Sequence, residues 1–125
     1  MVLLVALILM LSSIAFAGTK TINFAWEQGA ADLPNLKEWR IHSSMTSGGP
    51  YTVLSTIPFD GTVKPSYAGS GTVTTIPNGQ KATVYFVATA FGKSGIESGY
   101  SNEVSVLIDF TTVTVPINFK IVITN

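Results

Sequence analysis

Ala82-Thr83-Val84-Tyr85-Phe86-Val87-Ala88-Thr89-Ala90-Phe91 is the longest strand candidate in the chain, and its reading decides the fold. It is rich in β-branched and aromatic residues and apolar on both faces, as a central strand covered on each side requires. That double-sided character leaves the parity open: either Val84, Phe86, Ala88 and Ala90 point inward, or Tyr85, Val87 and Phe91 do. A central strand needs neighbours, and they lie in both directions along the chain.

Upstream, Thr21 to Glu27 alternates with Ile22, Phe24 and Trp26 on one face, and Lys37 to Ser43 does the same with Trp39 and Ile41. Tyr51 to Ile57 follows the turn Ser47-Gly48-Gly49-Pro50. Thr72 to Ile76 ends at Pro77-Asn78-Gly79, where Asn and Gly tolerate positive φ. Downstream, Glu103 to Ile108 alternates Val104, Val106 and Ile108 against Glu103, Ser105 and Leu107. Phe59 to Gly71 reads as a long loop. Helical periodicity is nearly absent. Short runs of this kind between Gly, Pro, Ser and Asn clusters predict an all-β chain, a two-sheet antiparallel β-sandwich or barrel.

Outside this block the two ends differ in character. Residues 1–17 carry an apolar run, Val2 to Leu11, and finish in Ala15-Phe16-Ala17, the small-residue pattern of a secretory cleavage site. They are expected to be a signal peptide, which places the mature protein outside the cell or at its surface; contact with membrane is expected only through this segment if it stays uncleaved. Residues 18–110 then form one domain. The chain's seven basic and seven acidic residues cancel, which leaves no electrostatic footprint for nucleic acid. The absence of Cys excludes a disulfide framework and a lipid on an amino-terminal Cys.

Several segments together resemble a bacterial fibronectin type III domain: Trp26; Asp32-Leu33 ahead of Leu36-Lys37-Glu38-Trp39-Arg40-Ile41; Ser47-Gly48-Gly49-Pro50-Tyr51-Thr52; Ile76-Pro77-Asn78-Gly79; Tyr85-Phe86-Val87-Ala88-Thr89-Ala90; and Gly95-Ile96-Glu97-Ser98-Gly99-Tyr100-Ser101-Asn102-Glu103-Val104. The likeness covers about residues 19–108, and the last segment is its most specific part. It implies an immunoglobulin-like sandwich whose strands B, C, C′, E, F and G are those above. Two departures stand out. Val84 occupies the position of the family's corner tyrosine, with Tyr85 one residue out of phase. Strand A, which the family places about ten residues before strand B, has no room between Gly18 and Ile22.

A segment shaped like that strand lies at the other end. In residues 111–125, Pro116-Ile117-Asn118-Phe119-Lys120-Ile121-Val122-Ile123 alternates, with Ile117, Phe119, Ile121 and Ile123 on one face. Three readings follow: the tail fills its own vacant edge and replaces strand A, it inserts into the next copy, or it begins a second domain. Burying four such side chains contributes roughly 6–12 kcal/mol, and ordering the segment costs about 1–2 kcal/mol per residue. The near balance predicts order only where a groove adds a ladder of main-chain hydrogen bonds. The expected partners are therefore other copies of the chain, as oligomer or filament, or another cell-surface component.

Signals for chemistry are thin. His42 is the single histidine and is expected on the solvent side of its strand, without the His or Cys partners a metal set needs. Glu97, Glu103 and Asp109 suggest a calcium cluster, but their spacing matches no cation-wrapping loop, and solvated carboxylates are the simpler reading. Ala68-Gly69-Ser70-Gly71 lacks the Lys and the helix of a phosphate cradle, and no Gly-x-Ser-x-Gly elbow occurs. No cofactor and no catalysis are expected. Tyr67 and Tyr100, placed in or beside loops, are candidate ligand contacts for an alternative role as a carbohydrate-binding accessory module.

Overall fold

The computed structural model describes residues 18–124; the signal-peptide reading of residues 1–17 lies outside them. Six strands follow in order: β1 (Lys20–Trp26), β2 (Leu36–Ser44), β3 (Thr52–Pro58), β4 (Tyr67–Val73), β5 (Lys81–Gly92) and β6 (Val104–Asp109), with a 3₁₀ turn at Ala30–Asn35 before β2. All pairings are antiparallel. One sheet holds β1 and β4, the other runs β3-β2-β5-β6. This is the expected β-sandwich. Among the described residues no helix is long and apolar enough to cross a membrane.

The core settles the parity of β5. Val84 and Phe86 are buried between the sheets with Ile41, Val73, Ile76 and Ile108, while Ala88 and Ala90 continue the same face. Phe24 of β1 meets the Phe86 ring edge-on at 5.0 Å, which ties the small sheet to the large one. A second cluster, Leu33, Leu36, Trp39 and Tyr67, closes the end where the 3₁₀ turn enters β2. Tyr67 is therefore core: it is 7% exposed, and its ring lies 4.6 Å from that of Trp39.

The Phe59 to Gly71 loop is shorter than its composition suggests, because Tyr67–Val73 is strand. Gly69 and Gly71 belong to β4 for a steric reason. A Cβ on Gly69 would stand 2.6 Å from Ile57, and one on Gly71 would stand 2.6 Å from Leu54. Both neighbours belong to β3, so the glycines let the two sheets close on each other at this side. Ser55 Oγ completes the seam by donating to the Ser70 carbonyl at 2.7 Å.

His42 is not on the solvent side as expected; it is 6% exposed. The segment joining β5 to β6 covers that face, laying Glu97 and Tyr100 against the imidazole. The same segment explains the Glu97 to Val104 motif. Ser98 N–H donates to the Ala90 carbonyl at 2.8 Å, and Ala90 N–H donates back to Ser98 Oγ at 2.9 Å. Ser101 does the same with Ala88. Two serine hydroxyls thus stand in for ladder acceptors along β5 before β6 begins at Val104.

The tail departs furthest from expectation. Residues 111–124 form no strand, so the reading in which the tail folds back to replace strand A is corrected for this chain on its own. Ile117 is 81% exposed, Phe119 95%, Ile121 87% and Ile123 83%. The extended run is broken at Asn118, whose φ of 54° is left-handed, a conformation Asn accepts more readily than most residues.

Candidate functional site

Against the closed side formed by β3 and β4, the opposite side of the sandwich is open. β1 pairs with β4 alone and β6 with β5 alone, so both present a second edge with no strand partner among the described residues. Alternate residues on such an edge leave their N–H and C=O pointing outward. The position is the one that the resemblance assigns to strand A, and it is vacant among the described residues.

Between the two edges runs an apolar cleft of about 120 Å³. Phe24 and Trp26 form one wall, Val104 the other, and Ile41 and Phe86 the floor. Its lining shows the missing cover. The inward side chains of β1, Ile22, Phe24 and Trp26, are only half-buried. On β6, Val104 is 48% exposed and Val106 36%, whereas Ile108 at the far end is buried. Trp26 Nε1 is buried and has no acceptor, an arrangement that costs about 1–3 kcal/mol. Trp39, by contrast, donates to Gln28 Oε1 at 3.1 Å.

The polar side chains gather elsewhere and are fully engaged with one another. Thr89 Oγ1 donates to Glu97 Oε1 at 2.6 Å. Its single proton is then used, so His42 Nε2, 2.9 Å away, must be the donor in their contact. Arg40 approaches Glu97 at 3.6 Å and stacks 3.8 Å above the Phe91 ring. The Thr89 hydroxyl, with Arg40 and His42 behind it, holds the Glu97 carboxyl below the usual carboxylate range. This set braces the outer face of the large sheet.

Glu103 forms a second brace. It accepts from Tyr51 Oη at 2.6 Å, from Gly48 N–H at 2.8 Å and from Ser47 Oγ at 2.8 Å, which clasps the β2–β3 turn to the start of β6. Those donors, Tyr51 first, lower its pKa, and the same bond raises that of Tyr51. Asp109 is held low by the Thr111 hydroxyl and N–H. Glu97, Glu103 and Asp109 therefore occupy three separate networks and do not converge on a calcium site.

Of the candidate ligand aromatics, Tyr67 is corrected: its hydroxyl is tied to Thr62 and Lys64 main chain and its ring is packed inside. Tyr100 is 57% exposed and leans on Tyr51 at 5.1 Å. The two tyrosines do not build one platform. The assembly candidates Ile117, Phe119, Ile121 and Ile123 are exposed, and the edges open among the described residues on that side are those of β1 and β6. Sequence reasoning expected a missing strand from the short interval before Ile22, and among the described residues β1 has β4 as its one strand partner. It gave no means of finding Val104 and Phe24 as the two lips of the cleft, because both read simply as core.

No protein-family model matches the chain, and no curated protein does. Among solved structures, the chain is similar to a protein described as Fn3-like from Clostridium thermocellum, with 27% identity and a TM-score of 0.45 over 68% of this chain and 73% of that one.

Proposed function

We propose that the protein is an exported, non-catalytic structural or adhesive module of the fibronectin type III kind that assembles by strand addition, its open β1–β6 edge receiving the apolar face of residues 117–123. One observation carries this reading. The same chain holds an edge with a half-covered apolar cleft and a tail of alternating apolar residues that has no cover of its own. Each of these is a liability alone, since unpaired strand edges and exposed apolar runs recruit other chains. Together they are complementary: a strand laid in the cleft satisfies main-chain groups and buries side chains in one step.

The polar sets support a role without catalysis. His42 is spent on Thr89 and Glu97, and Glu103 on the β2–β3 turn, so neither offers a free base beside a nucleophile. Export rests on the signal pattern of residues 1–17. The six strands of the described residues lie between Lys20 and Asp109, so a chain begun at Gly18 contains each of them. Light scattering on that chain should give oligomers that disappear when residues 111–125 are removed. A monomer in both cases would refute strand addition.

A further inference from the structure

We infer that Asn78 is a site of spontaneous deamidation, gated by the docking of Phe110 on the turn Pro77-Asn78-Gly79-Gln80. This chemistry is independent of strand addition and needs only the turn and water.

Asn78 is the one Asn followed by Gly in the chain. The Gly79 nitrogen, with no side chain beside it to hinder approach, attacks the Asn78 Cγ. A Gly79 N–Cγ bond forms, the Cγ–Nδ2 bond breaks, and the side-chain amide leaves as ammonia with the proton of the Gly79 N–H. Water then adds to one of the two carbonyls of the five-membered imide and opens it, leaving an aspartyl or an isoaspartyl residue at position 78. Asn78 is exposed, so water and base reach it freely. Asp60-Gly61 offers a nitrogen of the same kind, but the Thr62 N–H holds the Asp60 carboxyl below its usual range, and an ionised carboxylate is a poor electrophile.

The folded turn withholds the nucleophile. Gln80 N–H donates to the Pro77 carbonyl at 3.1 Å, and Gly79 has a φ of 83° while Asn78 lies outside the positive region. This is a type II turn with Asn78 and Gly79 as its central pair. Its first central residue has a ψ of about 120°, which turns the Gly79 nitrogen away from the Asn78 side chain. Ring closure requires that peptide to rotate until the nitrogen and the Asn78 Cβ are nearly eclipsed.

Phe110 opposes the rotation. Gly79 N–H donates to the Phe110 carbonyl at 2.9 Å, and Phe110 N–H donates to the Gln80 carbonyl at 2.8 Å. The Phe110 ring packs on the core and lies so near Gly18 that a Cβ there would fall 2.6 Å from it. The attacking nitrogen is therefore free only in molecules whose Phe110 has lifted from the turn, a local opening that leaves the rest of the sandwich folded. Conversion then locks the opening in. An isoaspartyl linkage adds a backbone atom before Gly79 and moves its N–H out of line with the Phe110 carbonyl, and either product adds a negative charge to a chain of net charge +0.

The purified protein and a synthetic peptide of residues 74–83 are incubated in mildly alkaline buffer, and conversion at residue 78 is followed by mass spectrometry of the fragment that contains it. Both are expected to convert at that residue, the folded protein about tenfold more slowly or less, as two hydrogen bonds to Phe110 require. Phe110→Ala removes the ring and Gly18→Ala displaces it; each should raise the rate in the folded protein about fivefold, the worth of one hydrogen bond. Gly71→Ala, which strains the β3–β4 seam instead, should leave the rate within about twofold, because opening of the turn does not involve that seam. If Phe110→Ala does not fold, Gly18→Ala carries the same comparison with Phe110 in place. A folded protein that converts as fast as the peptide overturns the gate. Equal acceleration by Gly71→Ala ties the rate to global stability and overturns the role of Phe110. An unchanged Asn78 in the protein and both ring variants, while the peptide converts, overturns the site itself.

Discussion

Ser101 holds Ala88 by both of its main-chain groups: Ser101 N–H donates to the Ala88 carbonyl at 2.8 Å, and Ala88 N–H donates to Ser101 Oγ at 2.8 Å. A side chain here replaces the carbonyl that a paired strand would supply, and Ser98 repeats the device at Ala90. Removing either hydroxyl leaves a strand N–H without its acceptor. Ser98→Ala and Ser101→Ala are each expected to cost about 0.5–1.5 kcal/mol, read as a lower midpoint in urea with unchanged slope. Thr substitutions, which keep the hydroxyl, should recover most of the loss.

The glycines of β4 provide a sharper contrast. Gly71→Ala places a Cβ 2.6 Å from Leu54, and Gly69→Ala places one 2.6 Å from Ile57. Such overpacking costs about 1–3 kcal/mol. Gly99, with nothing within 4 Å of the same position, should accept Ala within about 0.5 kcal/mol. Equal effects at all three sites by thermal denaturation would contradict the close approach of β3 to β4.

These glycines also mark where the sequence stopped being legible. Strands β1, β2 and β6 announce themselves by alternation, since one face of each meets the core, β5 by its long run of apolar, β-branched and aromatic residues, and β3 by the turn before it. β4 does not, because its packing is built from the absence of side chains at Gly69 and Gly71, and an absence reads as loop. His42 was misplaced for a related reason. Alternation tells which sheet face a residue takes, but not that the Glu97 to Tyr100 segment later covers that face. The alternation of Ile117, Phe119, Ile121 and Ile123 is legible as a pattern. That the tail forms no strand in the isolated chain is supplied only by the coordinates.

Acid should weaken the brace on the large sheet. Glu97 has its carboxyl pKa lowered by the Thr89 hydroxyl, then by Arg40 and His42, so its ionised form is favoured by folding. Its contribution is complete above the unfolded-state value and is lost as pH falls through the lower folded value. Glu103 and Asp109 shift the same way, so stability should be level above the carboxylate range and decline through it. Glu97→Gln should flatten that decline, measured as urea midpoints against pH. The Glu97 side chain is 35% exposed, so screening by water keeps its share small.

Concentration separates a donated strand from a merely sticky one. If the tail of one copy completes the sheet of the next, the folded sandwich binds a ligand that the unfolded chain cannot, and its melting temperature must rise with protein concentration. At a hundredfold excess over the dissociation constant the gain is about 2.7 kcal/mol; for a domain of this size that is on the order of 10 to 20 °C. Phe119→Asp should abolish the dependence without lowering the melting temperature at high dilution, because Phe119 is 95% exposed in the isolated chain and contributes nothing to its core. Calorimetry across two decades of concentration reads both. A nonspecific aggregate would lower the apparent melting temperature as concentration rises, whereas strand donation raises it, because the groove beside Phe24 is filled only in the folded state.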